Sequence, residues 1–389
     1  MDVTFKTFNV GNGDCIALLL SNNNGQEIHI LVDCGKFTAE VNEFICNRFY
    51  NTIDYLIVTH IDNDHIVGLI EMLNKKADLE IHHIIYNCYQ RIPNNPQPWD
   101  EKMKENILRV TKELPIIVDL LEYKISEEKA KTLAEKILTN ERWKNAWKRE
   151  YTTSQSTPIE LSNDMGKLIF LSPTKEALDK IDSLYRKLFW EKLYKSKASD
   201  YDKEETIYEA LLRLFQDFSE DSETEISTTE LTKEALISLA DRPLKNTSLT
   251  NQASIAFIWE KDEHRILFLG DAAPKEIYDS INRIYATSPK PLLFDAIKVS
   301  HHGSAENTSK ELISIIDSQH FFFTGKTSTA PSINTIARIV TAPLTEGIQS
   351  RKLNFNRISA DIDALRKKTD LQEVFNFELL SNTLHEFSC

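Results

Sequence analysis

The sequence predicts an α/β protein, built as one large domain with an insertion, on three observations. First, 389 residues are too many for one minimal domain but suit a large α/β domain that carries extra segments. Second, an apolar, β-branched run at 54–59 is typical of a buried strand, and residues 66–73 then repeat apolar side chains at helical spacing. Third, residues 99–245 are mainly helical in pattern and interrupt the strands.

Composition limits where the protein works and what it contacts. Hydrophobic residues make up 41% of the chain without an apolar run near the length of a bilayer span, and the start lacks the features of a secretory signal. The five cysteines form no Cys-x-x-Cys pair. We therefore expect a cytoplasmic protein with reduced thiols and no membrane contact.

The net charge of −13 argues against a protein that coats nucleic acid nonspecifically. It does not exclude a nuclease, because bound divalent cations and a local basic groove can oppose the global charge.

The first ninety residues predict a β meander that leads into strand and helix. Gly-rich or Asn-rich turns separate the early strands, and the third of these strands ends in Asp33-Cys34-Gly35. The predicted elements are strands at 5–10, 14–20 and 27–32, a helix at 38–50, and strands at 54–59 and 81–88. His82 and His83 lie at the start of the last of these strands, and we interpret them as structural.

A dense polar cluster follows the strand at 54–59. Four residues of metal-binding type, His60, Asp62, Asp64 and His65, occur within six positions. Because side chains alternate at a strand end, we expect the first three to converge while His65 lies across the turn. Two imidazoles and two carboxylates at this spacing indicate a pair of divalent ions. The alternative is a helix N-cap formed by Asp62 or Asp64.

The middle of the chain predicts helices around one returning strand at 166–173. Trp143 and Trp147 lie on a helix at 127–150, where they either enter the core or stack bases beside basic residues. Residues 214–232 hold six acids and no Lys or Arg, which indicates either a mobile linker or lid, or a solvated loop without function. Further helices are predicted at 99–114, 176–195 and 203–218.

The last third returns to strands that end in polar residues. A hairpin of strands at 250–259 and 264–269 ends in Gly270-Asp271-Ala272, and a strand at 295–300 delivers His301-His302-Gly303-Ser304. A carboxylate has two oxygens and can bind one ion with each, so Asp271 fits a two-metal site. The alternative is an N-cap for the next helix. The remaining elements are a strand at 321–325, helices at 333–340 and 358–368, and a strand at 373–379.

These motifs resemble the metallo-β-lactamase superfamily, whose signature His-x-His-x-Asp-His follows a strand. Here the pattern is His60-x-Asp62-x-Asp64-His65, with Asp62 in place of the second histidine. That variant is similar to the branch containing the hydrolase domain of the competence protein ComEC. Val10-Gly-Asn-Gly-Asp14, Asp33-x-Gly35, Gly270-Asp271-Ala272 and His301-His302-Gly303-Ser304 also resemble motifs of this branch, although Asn12 stands where the branch usually has Gln. The resemblance covers about 1–90 and 245–330.

The resemblance implies a four-layer αβ/βα sandwich with halves at 1–98 and 246–389 and a mainly helical insertion at 99–245. It also implies a binuclear site, for which either His301 or His302 is the last ligand. Asp62 hardens the ligand set, which shifts preference from zinc toward manganese without deciding it. The implied metal ligands are His60, Asp62, Asp64, His65, Asp271 and His301, with Asp64 and His302 in catalytic roles and Asp14, Asp33, Asn251 and Ser304 in support.

The function implied is that of a binuclear phosphodiesterase with nucleic acid, in the first place DNA, as its substrate. The alternatives are a small-molecule hydrolase for cyclic phosphodiesters or esters, and a non-catalytic binding module. The chain is also similar to stand-alone nucleases of bacterial anti-phage (Avs-type, protease-associated) systems. This implies a protease and an ATPase as partners, and an insertion at 175–245 that covers the active site until cleavage or movement near 217–232 opens it.

Overall fold

Two β-sheets face each other at the centre of the protein. The computed structural model describes residues 1–88, 133–181, 231–245, 247–327 and 330–389. The first sheet contains, in spatial order, β16 (Leu384–Ser388), β1 (Asp2–Thr7), β2 (Ile16–Ser21), β3 (Glu27–Val32), β4 (Thr52–Val58) and β5 (Glu80–Tyr86). The second contains β15 (Phe377–Leu380), β14 (Arg351–Phe355), β13 (His320–Phe323), β11 (Ala296–Lys298), β9 (His264–Phe268), β8 (Ala256–Lys261), β7 (Lys167–Ser172) and β6 (Ile159–Glu160). A two-stranded pair joins β10 (Leu292–Phe294) to β12 (Ile316–Ser318).

Strand direction changes in the middle of each sheet. In the first sheet, β1, β2 and β3 pair antiparallel, whereas β3, β4 and β5 run parallel. In the second, β9, β11, β13, β14 and β15 are parallel, and β6 to β9 are antiparallel. The parallel strands of each sheet therefore end at one common edge, where ligand sites of α/β proteins collect.

Apolar side chains alternate between two cores along the strands. In β3, Ile28, Ile30 and Val32 enter the core between the sheets, while Leu31 enters the core beneath the outer helices. Aromatic rings fill the space between the sheets: the Phe5 ring centroid lies 4.8 Å from that of Phe322. Because both faces of each sheet are covered, the strands are almost continuously apolar, as is typical of buried parallel sheets.

Helices cover the outer face of each sheet, which confirms the predicted four-layer αβ/βα sandwich. Those on the first sheet are α1 (Ala39–Asn47), α2 (Asn63–Lys75), α3 (Leu133–Thr139) and α4 (Glu141–Ala146). Those on the second are α5 (Lys233–Ala240), α7 (Pro274–Ile284), α8 (Lys310–Ile313), α9 (Ile333–Thr341), α10 (Ala360–Arg366) and α11 (Thr369–Phe375). One short helix, α6 (Leu249–Gln252), precedes β8.

Two local predictions of strand are wrong, and capping explains both. Residues 249–252 are helical because the hydroxyl of Ser248 accepts from the backbone N–H of Asn251 and caps α6. Residues 373–375 belong to α11, which ends where Asn376 adopts a left-handed conformation.

Helices α3 and α4 of the insertion pack on the first sheet, whereas β6, β7 and α5 of the same range belong to the second sheet or its outer layer. Trp143 and Trp147 are buried, and their indole N–H groups donate to the carbonyls of Leu79 (2.9 Å) and Tyr86 (3.1 Å). These tryptophans are therefore core residues and are not free to stack bases. The predicted helices at 99–114 and 203–218, most of the helix at 176–195 and nearly all of the acidic segment at 214–232 lie outside the described residues.

Two expectations drawn from composition can be compared with the structure. All five cysteines are free thiols, as predicted. Within the described ranges, every helix is too short or too polar to cross a bilayer.

Candidate metal centre

The segments that follow the parallel strands meet at one edge of the sandwich. Asp33 follows β3 and His60 follows β4 in the first sheet, while Asp271 follows β9 and His301 follows β11 in the second. The loops of both sheets thus contribute polar side chains to the same cluster, which we call the candidate metal centre. Most of its residues are buried.

One carboxylate oxygen occupies the middle of this cluster. Asp271 Oδ2 lies 3.6 Å from His60 Nε2, 3.4 Å from His65 Nε2 and 3.7 Å from His301 Nε2. Helix α7 begins three residues later, with Ala273 as its N-cap, so the alternative reading of Asp271 as a helix cap is wrong.

Neighbouring hydrogen bonds fix the tautomers of the first two histidines. The Thr59 hydroxyl donates its one proton to Asp33 Oδ2 (2.6 Å), so it accepts from Nδ1 of His60 at 2.9 Å. Nδ1 of His65 donates to the same Asp33 oxygen at 2.8 Å. When neutral, both imidazoles therefore present an Nε2 lone pair to Asp271.

The second pair of histidines is oriented in the same way. The side-chain amide of Asn307 donates to the carbonyl of Asp271 (2.9 Å), so its oxygen faces Nδ1 of His301 at 3.0 Å. Nδ1 of His302 donates to the carbonyl of Thr324 at 3.0 Å. Each Nδ1 thus has an acceptor, and each Nε2 is left for the centre. Metal-binding imidazoles in proteins are held in this manner.

The cluster fits a divalent cation by its donor set. Nε2 of His60, Nε2 of His65 and Oδ1 of Asp271 are buried and have no hydrogen-bond partner among the residues described. Buried polar atoms are normally satisfied, so three unsatisfied atoms in one cluster indicate a ligand. Among the described residues, three triads have ligand atoms within 4.8 Å of one another, and all share His65: His60, His65 and Asp271; Asp64, His65 and His302; and Asp14, Asp33 and His65.

Asp62 and Asp64 lie on opposite sides of this cluster. Asp62 Oδ1 is 3.4 Å from His60 Nε2, and Asp64 Oδ2 is 3.1 Å from His302 Nε2. Asp62 does precede α2, but its side chain makes no capping hydrogen bond, which contradicts the N-cap alternative.

The expected alternation of side chains after β4 is wrong. The ring centroids of His60 and His65 are 4.2 Å apart, although the sequence pattern placed His65 across the turn. The strand ends at Val58 and α2 begins at Asn63, so the residues between them do not follow the two-residue period of a strand.

The two oxygens of Asp271 have different surroundings. Three imidazoles face Oδ2, whereas Oδ1 lies 3.7 Å from Nζ of Lys298. That each oxygen would bind its own ion stays a prediction.

Carboxylates and imidazoles shift one another's pKa strongly. Burial would raise the pKa of Asp271, but the surrounding imidazoles, His65 first, outweigh it and hold that pKa well below its usual range. Burial would lower the pKa of His302, but Asp14 and Asp271 raise it to about 10. The pKa of Asp64 falls to about 2, because His65 and His302 outweigh its burial. Asp64 thus stays ionised. The cluster attracts metal cations, and protons compete with these cations for the same side chains.

Lys298 is a buried member of the centre that the sequence reasoning missed. It is 1% exposed, its ammonium group contacts the carboxylate of Asp14, and it donates to the carbonyl of Gly270 at 2.9 Å. Burial would lower the pKa of Lys298, but Asp14 and Asp271 raise it. A lysine inside the apolar strand at 295–300 was the available signal, because a buried lysine requires a partner.

Asp14 links this lysine to the histidine side of the centre. Its Oδ1 lies 3.1 Å from Nδ1 of His302 and accepts a hydrogen bond from the Thr324 hydroxyl. Asp14 and Asp33 therefore both support imidazoles, which is the position that the resemblance implies for them.

Two glycines explain why the Gly-Asn-Gly and Asp-x-Gly motifs accompany the cluster. A Cβ on Gly13 would lie 1.5 Å from the carbonyl oxygen of Asp64, and one on Gly35 would lie 1.9 Å from it. The backbone N–H of Asp14 donates to the same oxygen at 3.2 Å. Side chains at these positions would push the loop of Asp64 outward.

Three functional candidates have left-handed backbones. Asp33, His301 and His302 have φ values of 54°, 47° and 54°. A left-handed backbone costs a residue with a side chain about 1–3 kcal/mol of conformational free energy, and such strain concentrates at functional sites.

Asn251 and Ser304, also predicted to support the site, differ in their placement. Asn251 Nδ2 lies 3.3 Å from His301 Nδ1, whereas Ser304 meets His301 through its backbone N–H. Asn307 and Ser254 were not predicted. The hydroxyl of Ser254 accepts a hydrogen bond from the backbone N–H of Asp271 at 3.0 Å. The only sequence feature that could have pointed to Asn307 and Ser254 is that both are polar residues that follow or precede strands.

Two other histidines stay apart from the centre, as interpreted. His82 Nδ1 lies 3.0 Å from Asp54, and the ring of His83 stacks on Tyr55.

A small pocket adjoins His60. Apolar side chains of Ile61, Leu178 and Ile181 line it together with Tyr86 and Asn87.

Comparisons with known proteins give only distant structural likenesses. No family model and no curated protein matches this chain. It is similar to the metallo-β-lactamase fold protein YhfI from Bacillus subtilis (TM-score 0.37, 10% identity, 100% of both chains). It is similar to a diphosphatase from the PhnP family (0.36, 10%, 100% of this chain and 98% of that one). It also resembles a long form RNase Z from yeast (0.35, 12%, 96% and 43%). With TM-scores this low, these likenesses add nothing to the layer order described above.

Proposed function

We propose that this chain is a metal-dependent phosphodiesterase of the metallo-β-lactamase type, with two divalent ions as cofactors and nucleic acid, in the first place DNA, as substrate. The observation that carries the proposal is the arrangement around Asp271. Three imidazole Nε2 atoms face its Oδ2 oxygen, and each imidazole is held by an acceptor at Nδ1.

The net charge of the candidate metal centre favours two divalent ions over one. The centre gathers five carboxylates against one lysine, Lys298. Two divalent cations would balance the four negative charges that remain when the imidazoles are neutral. One cation would leave two charges uncompensated in a largely buried cluster, which is costly. The carboxylates are those of Asp14, Asp33, Asp62, Asp64 and Asp271.

The bound ions would activate a water molecule and neutralise charge that grows on the phosphate. The chain's own residues would hold this arrangement. Asp33 and Thr59 fix the imidazoles of His60 and His65, and Asn307 fixes that of His301. Asp64 is about one-third exposed and stays ionised, so we assign it to ligand binding at the open side, with His302 behind it.

Substrate class comes from the resemblance. The second candidate is a small-molecule hydrolase for cyclic phosphodiesters or esters, which the same metal ligands would serve. A non-catalytic binding module is the third candidate. It does not explain why buried ligand atoms of His60, His65 and Asp271 lack hydrogen-bond partners among the described residues.

The test combines metal analysis with a substrate panel. We would measure Mn²⁺ and Zn²⁺ content, then incubate the protein with plasmid, single-stranded DNA, RNA and bis(p-nitrophenyl) phosphate, with and without Mn²⁺. We expect two ions per chain and cleavage of DNA. Cleavage of the small ester alone would favour the second candidate, and a protein that takes up no metal would exclude both hydrolases.

Variants connect the result to the centre. Asp271→Asn should lower activity more than the 10–100-fold typical of outer partners of a metal site. Asp295→Asn is the control, because Asp295 pairs with His264 outside the centre.

The role in anti-phage defence, with a protease and an ATPase as partners, remains a prediction. So does the opening of the site by cleavage near 217–232. If nicking or deleting this segment leaves nuclease activity unchanged, the idea of a covering insertion is wrong.

A further inference from the structure

A buried ammonium group lies beside the oxygen of Asp271 that the three imidazoles do not face. Lys298 Nζ lies 3.7 Å from Asp271 Oδ1, while the imidazoles of His60, His65 and His301 face Oδ2. We infer that Lys298 is a positioning residue that keeps Asp271 Oδ2 directed at the imidazoles of the candidate metal centre, which together with Asp271 would hold the ions. This inference rests on the proposed binuclear function.

The contacts of Lys298 reach the backbone as well as the side chain. Its Nζ donates to the carbonyl of Gly270, the residue before Asp271, at 2.9 Å. The backbone N–H of His301 donates to the same carbonyl at 3.0 Å. Lys298 therefore joins the loop that carries Asp271 to the loop that carries His301.

Asp14 keeps Lys298 in place. Its carboxylate contacts the ammonium group through one oxygen, and its other oxygen receives the Thr324 hydroxyl and faces His302. Lys298 thus has a separate counter-ion and can direct Asp271 without taking Oδ2 away from the imidazoles.

A different role for Lys298 gives the opposite prediction. If Lys298 only supplied positive charge, its removal would relieve repulsion between the ammonium group and the bound cations. Metal binding would then become tighter. If Lys298 positions Asp271, its removal lets the carboxylate rotate, and the second ion binds more weakly.

The experiment is a Mn²⁺ titration by calorimetry, with electron paramagnetic resonance to detect coupling between paired Mn²⁺ ions. Lys298→Met is the direct variant. Because it leaves Asp14 without its counter-ion and can fail to fold, Lys298→Met/Asp14→Asn is compared with Asp14→Asn alone. The pair Arg351→Met/Asp317→Asn is the control, because it removes a buried ion pair outside the centre.

We expect the second Mn²⁺ to bind at least about tenfold more weakly in Lys298→Met, and in the double variant relative to Asp14→Asn, with loss of the coupled signal. Equal or tighter binding of two ions would overturn the inference. If the unsubstituted protein itself binds no Mn²⁺ pair, the proposed function fails instead. The two failures are therefore distinguishable.

Discussion

Asp33 and His65 lie 32 residues apart in sequence, yet Nδ1 of His65 donates to Oδ2 of Asp33 over 2.8 Å. The same carboxylate accepts from the backbone N–H of Thr59 at 2.8 Å and from its hydroxyl at 2.6 Å. Through Thr59 it also determines the tautomer of His60. One fully buried aspartate therefore orients two imidazoles of the candidate metal centre.

Replacing Asp33 with Asn should weaken metal binding by about 10–100-fold. The carboxylate accepts from Nδ1 of His65 and the Thr59 hydroxyl with one oxygen and from the Thr59 backbone N–H with the other. An amide has only one acceptor oxygen, so its NH2 group would face one of these donors and a hydrogen bond would be lost. The measurement is Mn²⁺ and Zn²⁺ affinity by calorimetric titration of the folded apoprotein.

Asp295→Asn is the matched control for this substitution. Asp295 faces Nδ1 of His264 at 3.1 Å and accepts from the backbone N–H of Arg265 at 2.8 Å, so it makes a similar pair away from the centre. Unchanged metal affinity in Asp33→Asn would contradict the role given to Asp33.

Comparing Asn307→Asp with Asn307→Ala should distinguish the contributions of the two Asn307 hydrogen bonds to metal affinity. Aspartate can still accept from Nδ1 of His301 but can no longer donate to the carbonyl of Asp271. We expect a smaller loss of metal affinity than in Asn307→Ala, which removes both and should cost about tenfold or more.

Asn354→Asp is the control for the asparagine variants. Asn354 is equally buried in β14 and donates to the carbonyls of Phe321 and Lys352, so its substitution should lower stability and spare metal binding. Equal metal affinities in the two Asn307 variants would show that the acceptor for Nδ1 of His301, which only Asn307→Asp keeps, does not matter.

Gly13→Ala should impair both stability and metal binding. The new methyl group would overlap the carbonyl of Asp64, and the loop with His65 must move to relieve the overlap. We expect a cost of at least about 2 kcal/mol in urea unfolding. Gly25→Ala adds a methyl group in open space at φ +74°, so it should cost about 1 kcal/mol with metal affinity intact.

His320 should make stability depend on pH below neutrality. Burial, with help from His385 and Lys352, lowers the pKa of His320 to about 4, against about 6.5 when unfolded. The unfolded chain therefore binds more protons between these values, and stability falls as pH drops from 6.5 to 4. After allowance for partial exposure, the contribution is about 1 kcal/mol.

The check is the urea midpoint of the apoprotein at pH 7.5 and at pH 5. His320→Phe keeps a ring beside His385 and Phe322 but cannot take up a proton, so the difference between the two midpoints should shrink. A midpoint difference as large as in the unsubstituted protein would assign the pH dependence to other groups.

Much of the fold was readable from local pattern. Apolar runs gave the strands at 54–59 and 166–173 within about two residues, because a strand covered on both faces must be apolar throughout. The pattern of apolar residues gave the wrong element where a helix cap determines the structure. At Ser248 a side-chain hydrogen bond starts a helix, and at Asn376 a left-handed backbone ends one.

The sequence by itself determined which residue types gather near the strand ends: His60, Asp62, Asp64, His65, Asp271 and the pair of histidines after β11. Their types and order indicated a cation site, with helix caps as the alternative for the aspartates. Only the tertiary structure decided which atoms face one another, because those atoms belong to loops from two different sheets. Partners such as Lys298 and Asn307 are distant in sequence, and packing alone brings them to the same residue: Lys298 to the carboxylate of Asp271 and Asn307 to its backbone carbonyl.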